Sequence, residues 1–190
     1  MKRELSFPKH KIKVLLLEGV HSSAKELFLR DGFHVICKAH ALSEEELSEA
    51  IEGVHILGIR SKTLVTKRVL ERANKLLAVG AFCIGTNQID LSECSAKGIA
   101  IFNAPYSNTR SVVELVIAEM VILMRNLFAK SINAHNGVWD KSSHNSFELR
   151  GKTIGIIGYG HIGTQVSILA ESMGMRVLFH DIVDSMPLGN

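Results

Sequence analysis

The sequence contains only three cysteines, Cys37, Cys83 and Cys94, and no two of them lie close together in the chain. An odd number of widely spaced cysteines argues against a disulfide framework and against a zinc site. The thiols are therefore expected to be free, which favours a reducing, cytoplasmic location. The nine histidines show no metal-ligand spacing either, and no metal site is predicted.

The sequence also lacks an apolar run long enough to cross a bilayer. The longest run, Leu115 to Met124, is interrupted by Glu119 and is shorter than the about 20 residues that a spanning helix needs. The charged first residues have no apolar core of signal-peptide length. The net charge is only +3, from 22 basic and 19 acidic residues. We therefore expect neither nucleic acid nor a membrane as a partner, and we interpret the apolar run as a buried helix.

Short β-rich runs alternate with helical patterns over the first 105 residues. Five runs predict strands: "KVLLLEG", "HVICK", "HILGIR", "LLAVGAF" and "AIFNAP". Helices are predicted between them, and the second helix begins with Ser43 and Glu46 at capping-box spacing. Strands separated by helices of about ten residues are typical of βαβ units, which build a parallel sheet. Residues 1–107 are therefore predicted to form an α/β, flavodoxin-like domain.

A second domain is predicted from residue 108 onward. A helix is expected from about Thr109 to Leu127, and because its apolar residues fall on every side, we expect it to be covered on every side. A polar helix and loop follow. The segments "TIGIIG", "HIGTQVSILAESMG" and "MRVLFH" then predict a strand, a helix and a strand. We interpret residues 108–190 as an interdomain helix and the first βαβ unit of an incomplete Rossmann domain, which would normally have about six strands.

The strand "TIGIIG" leads into glycines at the spacing G-x-G-x-x-G. Gly158 would allow the tight turn, Gly160 would let the backbone approach a pyrophosphate, and Gly163 would let the helix pack on the strand. The anion would then lie at the positive end of the helix that begins near His161. Asp181 ends the next strand, near the distance of about 20 residues at which a ribose-binding carboxylate is expected. The pattern predicts a dinucleotide site.

The alternative is that the glycines only make a tight turn and that Asp181 only ends a strand. Among dinucleotides, NAD is favoured over NADP. An aspartate at this position repels a 2′-phosphate, and no Arg or Lys follows in "IVDSMPLGN" to attract one.

Four segments together resemble the D-isomer-specific 2-hydroxyacid dehydrogenase family: "GIRSKT", "AFCIGTNQID", "FNAPYSNTRSVVELVIAEMV" and "RGKTIGIIGYGHIGTQ". The resemblance covers nearly the whole chain in order. It implies a substrate-binding domain followed by an NAD-binding domain, and an enzyme that oxidises 3-phosphoglycerate or a related 2-hydroxy acid with NAD. It also implies a homo-oligomer, and it places His161 and Ile162 against the cofactor pyrophosphate.

The resemblance also assigns six residues to the substrate site: Arg60, Ser61, Cys83, Ile84, Gly85 and Asn108. A guanidinium group binds phosphate or carboxylate through two hydrogen bonds, which suits Arg60. From the residues alone, Arg60 and Ser61 could equally be a surface cation and a helix cap. Asn108 could be no more than the cap of the long helix.

The resemblance further implies that the catalytic Arg, Glu and His of the family lie after the position of Asn190. The chain is therefore expected to be a truncated, amino-terminal part of the enzyme, inactive by itself and inclined to self-associate. Two alternatives stay open: another 2-hydroxyacid dehydrogenase, acting on glycerate, lactate or a similar acid, and a non-catalytic NAD-sensing protein of the same fold.

Overall fold

A computed structural model describes residues 7–183 of the chain. The chain divides after Ser107 into two compact units. Residues 184–190, on which part of the expectation about the 2′-phosphate depends, lie outside the described residues. No described helix has both the length and the apolar character that crossing a membrane requires.

The first unit is built on a five-stranded parallel sheet. Its strands are β1 (Lys13–Leu16), β2 (His34–Cys37), β3 (Ile56–Ile59), β4 (Ala78–Ala81) and β5 (Ala100–Asn103). They are ordered β2-β1-β3-β4-β5, which is the flavodoxin order. The predicted flavodoxin-like sheet is confirmed. Each strand is shorter than its sequence pattern, because the last residues of the patterns lie in loops at the carboxyl edge of the sheet.

Four helices connect these strands, at the predicted places: α1 (Ser22–Arg30), α2 (Glu44–Ala50), α3 (Lys67–Arg72) and α4 (Leu91–Ala96). The predicted capping box is present at the start of α2. The Ser43 hydroxyl accepts a hydrogen bond from the Glu46 N–H at 3.3 Å, and the Glu46 carboxylate accepts one from the Ser43 N–H at 2.8 Å. Each bond satisfies an N–H that lies before the first intrahelical hydrogen bonds.

The core of the first unit lies on one face of the sheet. Leu57 and Val79 from the central strands are fully buried there with side chains of α2 and α3, such as Leu47 and Val69. On the opposite face, Phe102 is 63% exposed. The main core therefore packs on the face of the sheet that α2 and α3 cover, and the other face buries Val14 and Leu16 of β1 but leaves Phe102 of β5 exposed.

The second unit begins with α5 (Thr109–Met124) and α6 (Leu127–His135), followed by β6 (Thr153–Ile157), α7 (His161–Ser172) and β7 (Arg176–His180). Strands β6 and β7 pair in parallel, so that Ile154 lies opposite Val177. Helix α7 packs against both strands and against α5. This is the predicted βαβ unit, and its fold class is confirmed.

Two expectations about α5 are wrong. The helix ends at Met124 rather than Leu127, because Asn126 adopts a left-handed conformation with φ of +53° and Leu127 begins the next helix. The helix is also not covered on every side: Leu115 and Leu123 are 57% and 69% exposed, and Glu119 is exposed as well. One helix and a two-stranded sheet offer α5 too little apolar surface to bury its whole circumference.

Candidate functional site

In the first unit, the loops that follow β3 and β4 lie together at the carboxyl edge of the sheet, where parallel α/β sheets place their ligands. Arg60 and Ser61 follow β3 directly, and both side chains are exposed. The turn Cys83–Gly85 follows β4. The buried Gln88 joins the two loops, because its Nε2 donates to the carbonyl of Arg60 at 2.9 Å and to that of Gly85 at 3.3 Å. The structure therefore brings Arg60 and this turn together.

The turn Cys83–Gly85 is held by the end of β5. Asn103 Nδ2 donates to the Ile84 carbonyl at 2.7 Å, and the Ala104 N–H donates to the Cys83 carbonyl at 3.0 Å. A Cβ atom at Gly85 would lie 2.8 Å from the Asn87 side-chain oxygen. A larger residue at this position would have to displace the end of the Asn87 side chain.

Glu18, which the sequence analysis did not identify, holds the loop that follows β3. It follows β1, it is 9% exposed, and its carboxylate accepts hydrogen bonds from the N–H groups of Arg60, Lys62 and Thr63 at 2.9–3.0 Å. Burial raises the pKa of the Glu18 carboxyl, but the hydrogen bonds from the loop, among them the three N–H donors, outweigh burial and hold the pKa below its usual range. The only signal in the sequence is an acid directly after an apolar strand.

Asn108 lies in the second unit, at the N-cap position of α5. Its side chain is exposed and makes no capping hydrogen bond. The interpretation of Asn108 as a helix cap is therefore not supported by its hydrogen bonding. Two residues later, Arg110 Nε donates to Glu114 Oε1 at 2.7 Å, an ion pair between residues four positions apart on the surface of α5.

In the second unit, the structure constrains the three loop glycines to different degrees. Gly158 has φ of +90°, a conformation that other residues rarely adopt. A Cβ atom at Gly163 would collide with the Gly158 carbonyl oxygen and lie 3.2 Å from the Ile156 side chain. Gly160 has an ordinary φ of −80°, and no atom lies within 4 Å of the place where its Cβ would be. Neither backbone strain nor packing requires glycine at 160.

The open space at Gly160 lies next to the start of α7. Gly160 is the N-cap residue, and no side chain caps the helix there. The first intrahelical bond runs from the Thr164 N–H to the Gly160 carbonyl at 2.9 Å. The N–H groups of His161 and Ile162 precede that bond and lie at the positive end of the helix dipole. His161 is exposed and Ile162 is half-buried.

Asp181 lies beside this loop. Its carboxylate accepts hydrogen bonds from the Tyr159 N–H within the loop and from the Val183 N–H at 3.0 Å. These bonds, Val183 first, hold the pKa of the Asp181 carboxyl below its usual range. The Tyr159 ring stacks on Phe179 at 4.0 Å, and its hydroxyl lies 2.7 Å from the Ser167 hydroxyl. The loop is thus fixed to β7 and α7, with an anionic carboxylate on one side.

This arrangement fits a dinucleotide. Gly160 leaves space for a close approach to the backbone, the start of α7 attracts an anion, and the Asp181 carboxylate can accept hydrogen bonds from a ribose. The fit depends on the space at Gly160, which a Cβ atom would fill.

Comparison with known proteins identifies the family. The sequence profile of the catalytic domain of D-isomer specific 2-hydroxyacid dehydrogenases matches residues 14–178. The chain belongs to this family.

Individual proteins that are similar to this chain in sequence include D-3-phosphoglycerate dehydrogenases. The Dictyostelium discoideum enzyme is 53% identical over 97% of this chain, and the Escherichia coli enzyme is 52% identical over 98%. In both alignments this chain covers 46% of the relative. The chain thus spans about half the length of the curated relatives that it matches.

Solved structures share the fold. The TT0316 protein of Thermus thermophilus has a TM-score of 0.85 at 25% identity, covering 93% of this chain and 58% of that one. The D-lactate dehydrogenase of Aquifex aeolicus, solved with NAD and lactic acid, has a TM-score of 0.74 at 24% identity, covering 90% of this chain and 52% of that one. Structures similar to this chain therefore include a dehydrogenase with NAD bound.

Proposed function

We propose that this chain forms part of an NAD-dependent D-3-phosphoglycerate dehydrogenase, which oxidises D-3-phosphoglycerate to 3-phosphohydroxypyruvate in the first step of L-serine biosynthesis. The observation that carries the proposal is the identity of 52–53% to D-3-phosphoglycerate dehydrogenases over at least 97% of the chain. An alignment of that extent includes both the loops at the sheet edge and the glycine loop. Residues 1–107 form the substrate-binding domain in this proposal, and residues 108–190 begin the NAD-binding domain.

In this proposal Arg60 is the principal substrate-binding side chain. Its guanidinium group is exposed at the sheet edge and can bind a phosphate or carboxylate of the substrate through two hydrogen bonds. Ser61 adds a hydroxyl group, and the backbone of Cys83–Gly85 adds N–H donors. Asn108 contributes an amide side chain that makes no capping hydrogen bond. These groups hold and orient the acid but do not remove its hydroxyl proton.

The second unit binds NAD in this proposal. A nicotinamide cofactor bound there would supply the acceptor for the hydride that leaves the substrate carbon. The N–H groups of His161 and Ile162 hold the pyrophosphate. Gly158 makes the tight turn, Gly160 gives the pyrophosphate room, and Gly163 lets α7 pack on β6. Asp181 accepts hydrogen bonds from the adenosine ribose, and its negative charge disfavours a 2′-phosphate. The bond from the Tyr159 N–H fixes the carboxylate in place for this role.

The catalytic Arg, Glu and His of the family have no assigned counterparts in this chain. We expect them in the part of the relatives that this chain does not span, and we therefore expect the 190-residue chain to show no turnover. Oxidation of the 2-hydroxyl requires a base to take its proton, and no residue of the two described sites is assigned that role.

The proposed enzyme is a cytoplasmic homo-oligomer. Three large apolar side chains in and after α6 support self-association: Phe128, Ile132 and Trp139 are 66%, 60% and 79% exposed. Exposed apolar clusters commonly mark protein interfaces. Three free, widely spaced cysteines are compatible with a reducing compartment.

The test is to read the coding sequence beyond codon 190 and to assay the protein that it encodes. Purified protein is offered a panel of 2-oxo acids with NADH, including 3-phosphohydroxypyruvate, hydroxypyruvate and pyruvate. Preferred reduction of 3-phosphohydroxypyruvate is expected. Preference for an unphosphorylated acid would make it another dehydrogenase of the family. NADH binding without any turnover would instead favour a non-catalytic NAD sensor.

A further inference from the structure

The main chain of Arg60 is held on both sides by two buried polar side chains. Its N–H donates to Glu18 Oε1 at 3.0 Å, and its carbonyl accepts from Gln88 Nε2 at 2.9 Å. Glu18 and Gln88 are 9% and 6% exposed. Both lie far from Arg60 in the chain, 42 and 28 residues away, so that only the folded sheet edge brings the three together.

Each of the two side chains also makes further hydrogen bonds, Glu18 within the loop of Arg60 and Gln88 with the turn after β4. The Glu18 carboxylate takes two further N–H donors from the same loop, Lys62 at 3.0 Å and Thr63 at 2.9 Å. Gln88 Nε2 also donates to the Gly85 carbonyl at 3.3 Å and lies 3.3 Å from Cys83 Sγ. One residue therefore fixes the path of the loop after β3, and the other fixes its distance from the turn after β4.

Glu18 adopts an unusual backbone conformation. Its φ is +59°, in the left-handed region that residues other than glycine rarely occupy. A buried carboxylate is also costly unless donors satisfy it. Such features persist where the surrounding structure enforces them, and they concentrate at functional sites. Here they direct a carboxylate at the loop that carries Arg60 and Ser61.

We propose that Glu18 and Gln88 are positioning residues for substrate binding, holding the backbone of Arg60 and Ser61 in register with the turn Cys83–Gly85. This inference rests on the proposed function, because it requires Arg60 to bind the substrate. An arginine binds an oxyanion through two parallel hydrogen bonds only when its guanidinium group is correctly placed and oriented. A small displacement of the Arg60 backbone moves the guanidinium group away from that position. Fixing the backbone removes one source of displacement.

The proposal predicts a particular kinetic change. Arg60 binds a part of the substrate that does not react. Its misplacement therefore weakens binding of the substrate equally in the ground state and in the transition state. Such a loss raises KM and leaves kcat nearly unchanged. The KM for NADH should not move, because the cofactor binds the second unit in the proposed function. A role in stability alone would lower the thermal midpoint and the active fraction, without raising KM for the substrate.

The experiment uses the complete protein with Glu18→Gln, Gln88→Met and a control, Ser43→Ala. Glu18→Gln keeps the shape but turns one N–H acceptor into a donor. Gln88→Met keeps the volume and removes the amide. Ser43→Ala removes the capping box of α2, in the same unit but outside both loops. KM for 3-phosphohydroxypyruvate should rise about tenfold in the first two variants, because a displaced Arg60 loses one hydrogen bond to the charged substrate. It should stay unchanged in the control.

A second measurement follows the loop directly in the 190-residue chain. In an NMR titration to acid pH, the amide signals of Arg60, Lys62 and Thr63 should move together as Glu18 takes up its proton, and Glu18→Gln should abolish this common shift.

Each outcome decides one question. A wild-type protein without activity on 3-phosphohydroxypyruvate overturns the proposed function and this inference with it. An active wild type whose Glu18→Gln and Gln88→Met variants keep the wild-type KM overturns this inference alone. If both variants fail to fold, the two residues serve stability and the inference is also overturned.

Discussion

Replacing the loop glycines by alanine, one at a time, should separate cofactor binding from folding. Alanine at 158 must adopt a φ of +90°, and such a backbone conformation costs about 1–3 kcal/mol. Alanine at 163 meets the Gly158 carbonyl oxygen and the Ile156 side chain, and overpacking of this kind costs about 1–3 kcal/mol. Alanine at 160 meets no atom within 4 Å, so its free energy of unfolding should fall by no more than about 1 kcal/mol, the usual cost of alanine at an N-cap position.

Cofactor affinity should follow a different order. The Cβ of alanine at 160 would occupy the space that the pyrophosphate needs in the proposed function. We therefore expect Gly160→Ala to weaken NADH binding at least about tenfold, equivalent to about 1.4 kcal/mol, although it is the least destabilising of the three. Stability is measured by urea unfolding of the 190-residue chain, and affinity by NADH fluorescence titration of the complete protein.

A matched control is Gly155→Ala in β6. Its Cβ would also meet no atom within 4 Å, and its φ lies outside the left-handed region, but it precedes the loop. It should change the unfolding free energy of the 190-residue chain as little as Gly160→Ala. Wild-type NADH affinity in a stable Gly160→Ala variant would refute the assignment of the loop to the pyrophosphate. A large loss of stability at 160 would show instead that the space there is needed for folding.

Three further predictions concern other parts of the chain. Arg60→Lys keeps the charge but removes the two-nitrogen bond, so KM for 3-phosphohydroxypyruvate should rise about tenfold or more with little change in kcat; an unchanged KM would remove Arg60 from the substrate site. Burial, with smaller contributions from neighbouring lysines, lowers the pKa of His55 below its ordinary value of 6.5. The unfolded chain therefore binds the extra proton more readily, and stability should fall as pH drops below about 6.5; His55→Gln should flatten that dependence in urea unfolding, and an equally steep profile would contradict the assignment. Ile157 is 93% exposed on β6, so Ile157→Lys should reduce self-association of the 190-residue chain in sedimentation velocity, whereas an unchanged distribution would place the contact elsewhere.

The order of strands and helices could be predicted because each element carries its own local signal. Alternating short apolar runs and helical patterns indicate parallel βαβ units wherever they occur. The capping box at Ser43 and Glu46 depends on two residues only three positions apart. The glycine loop and Asp181 also form a local pattern, since they belong to a single βαβ unit.

The misreading of α5 has a physical cause. Its composition, apolar on every side, shows what the helix could bury, but the surface that is available to cover Leu115 and Leu123 depends on what packs around it. Its end at Met124 depends on Asn126, whose left-handed conformation no periodicity predicts.

The sequence by itself determined the parallel α/β architecture, the glycine loop and the family, because these follow from spacings within single βαβ units and from motifs read in order. Only the tertiary structure decided that Glu18 and Gln88 hold Arg60, and that Gly160, unlike Gly158 and Gly163, combines open space at its Cβ position with an ordinary backbone conformation. Those facts depend on contacts between loops 28 to 45 residues apart and on volumes left empty by neighbours. No local sequence pattern predicts these contacts or these volumes, because they form only when parallel strands bring their carboxyl ends to one edge of a sheet.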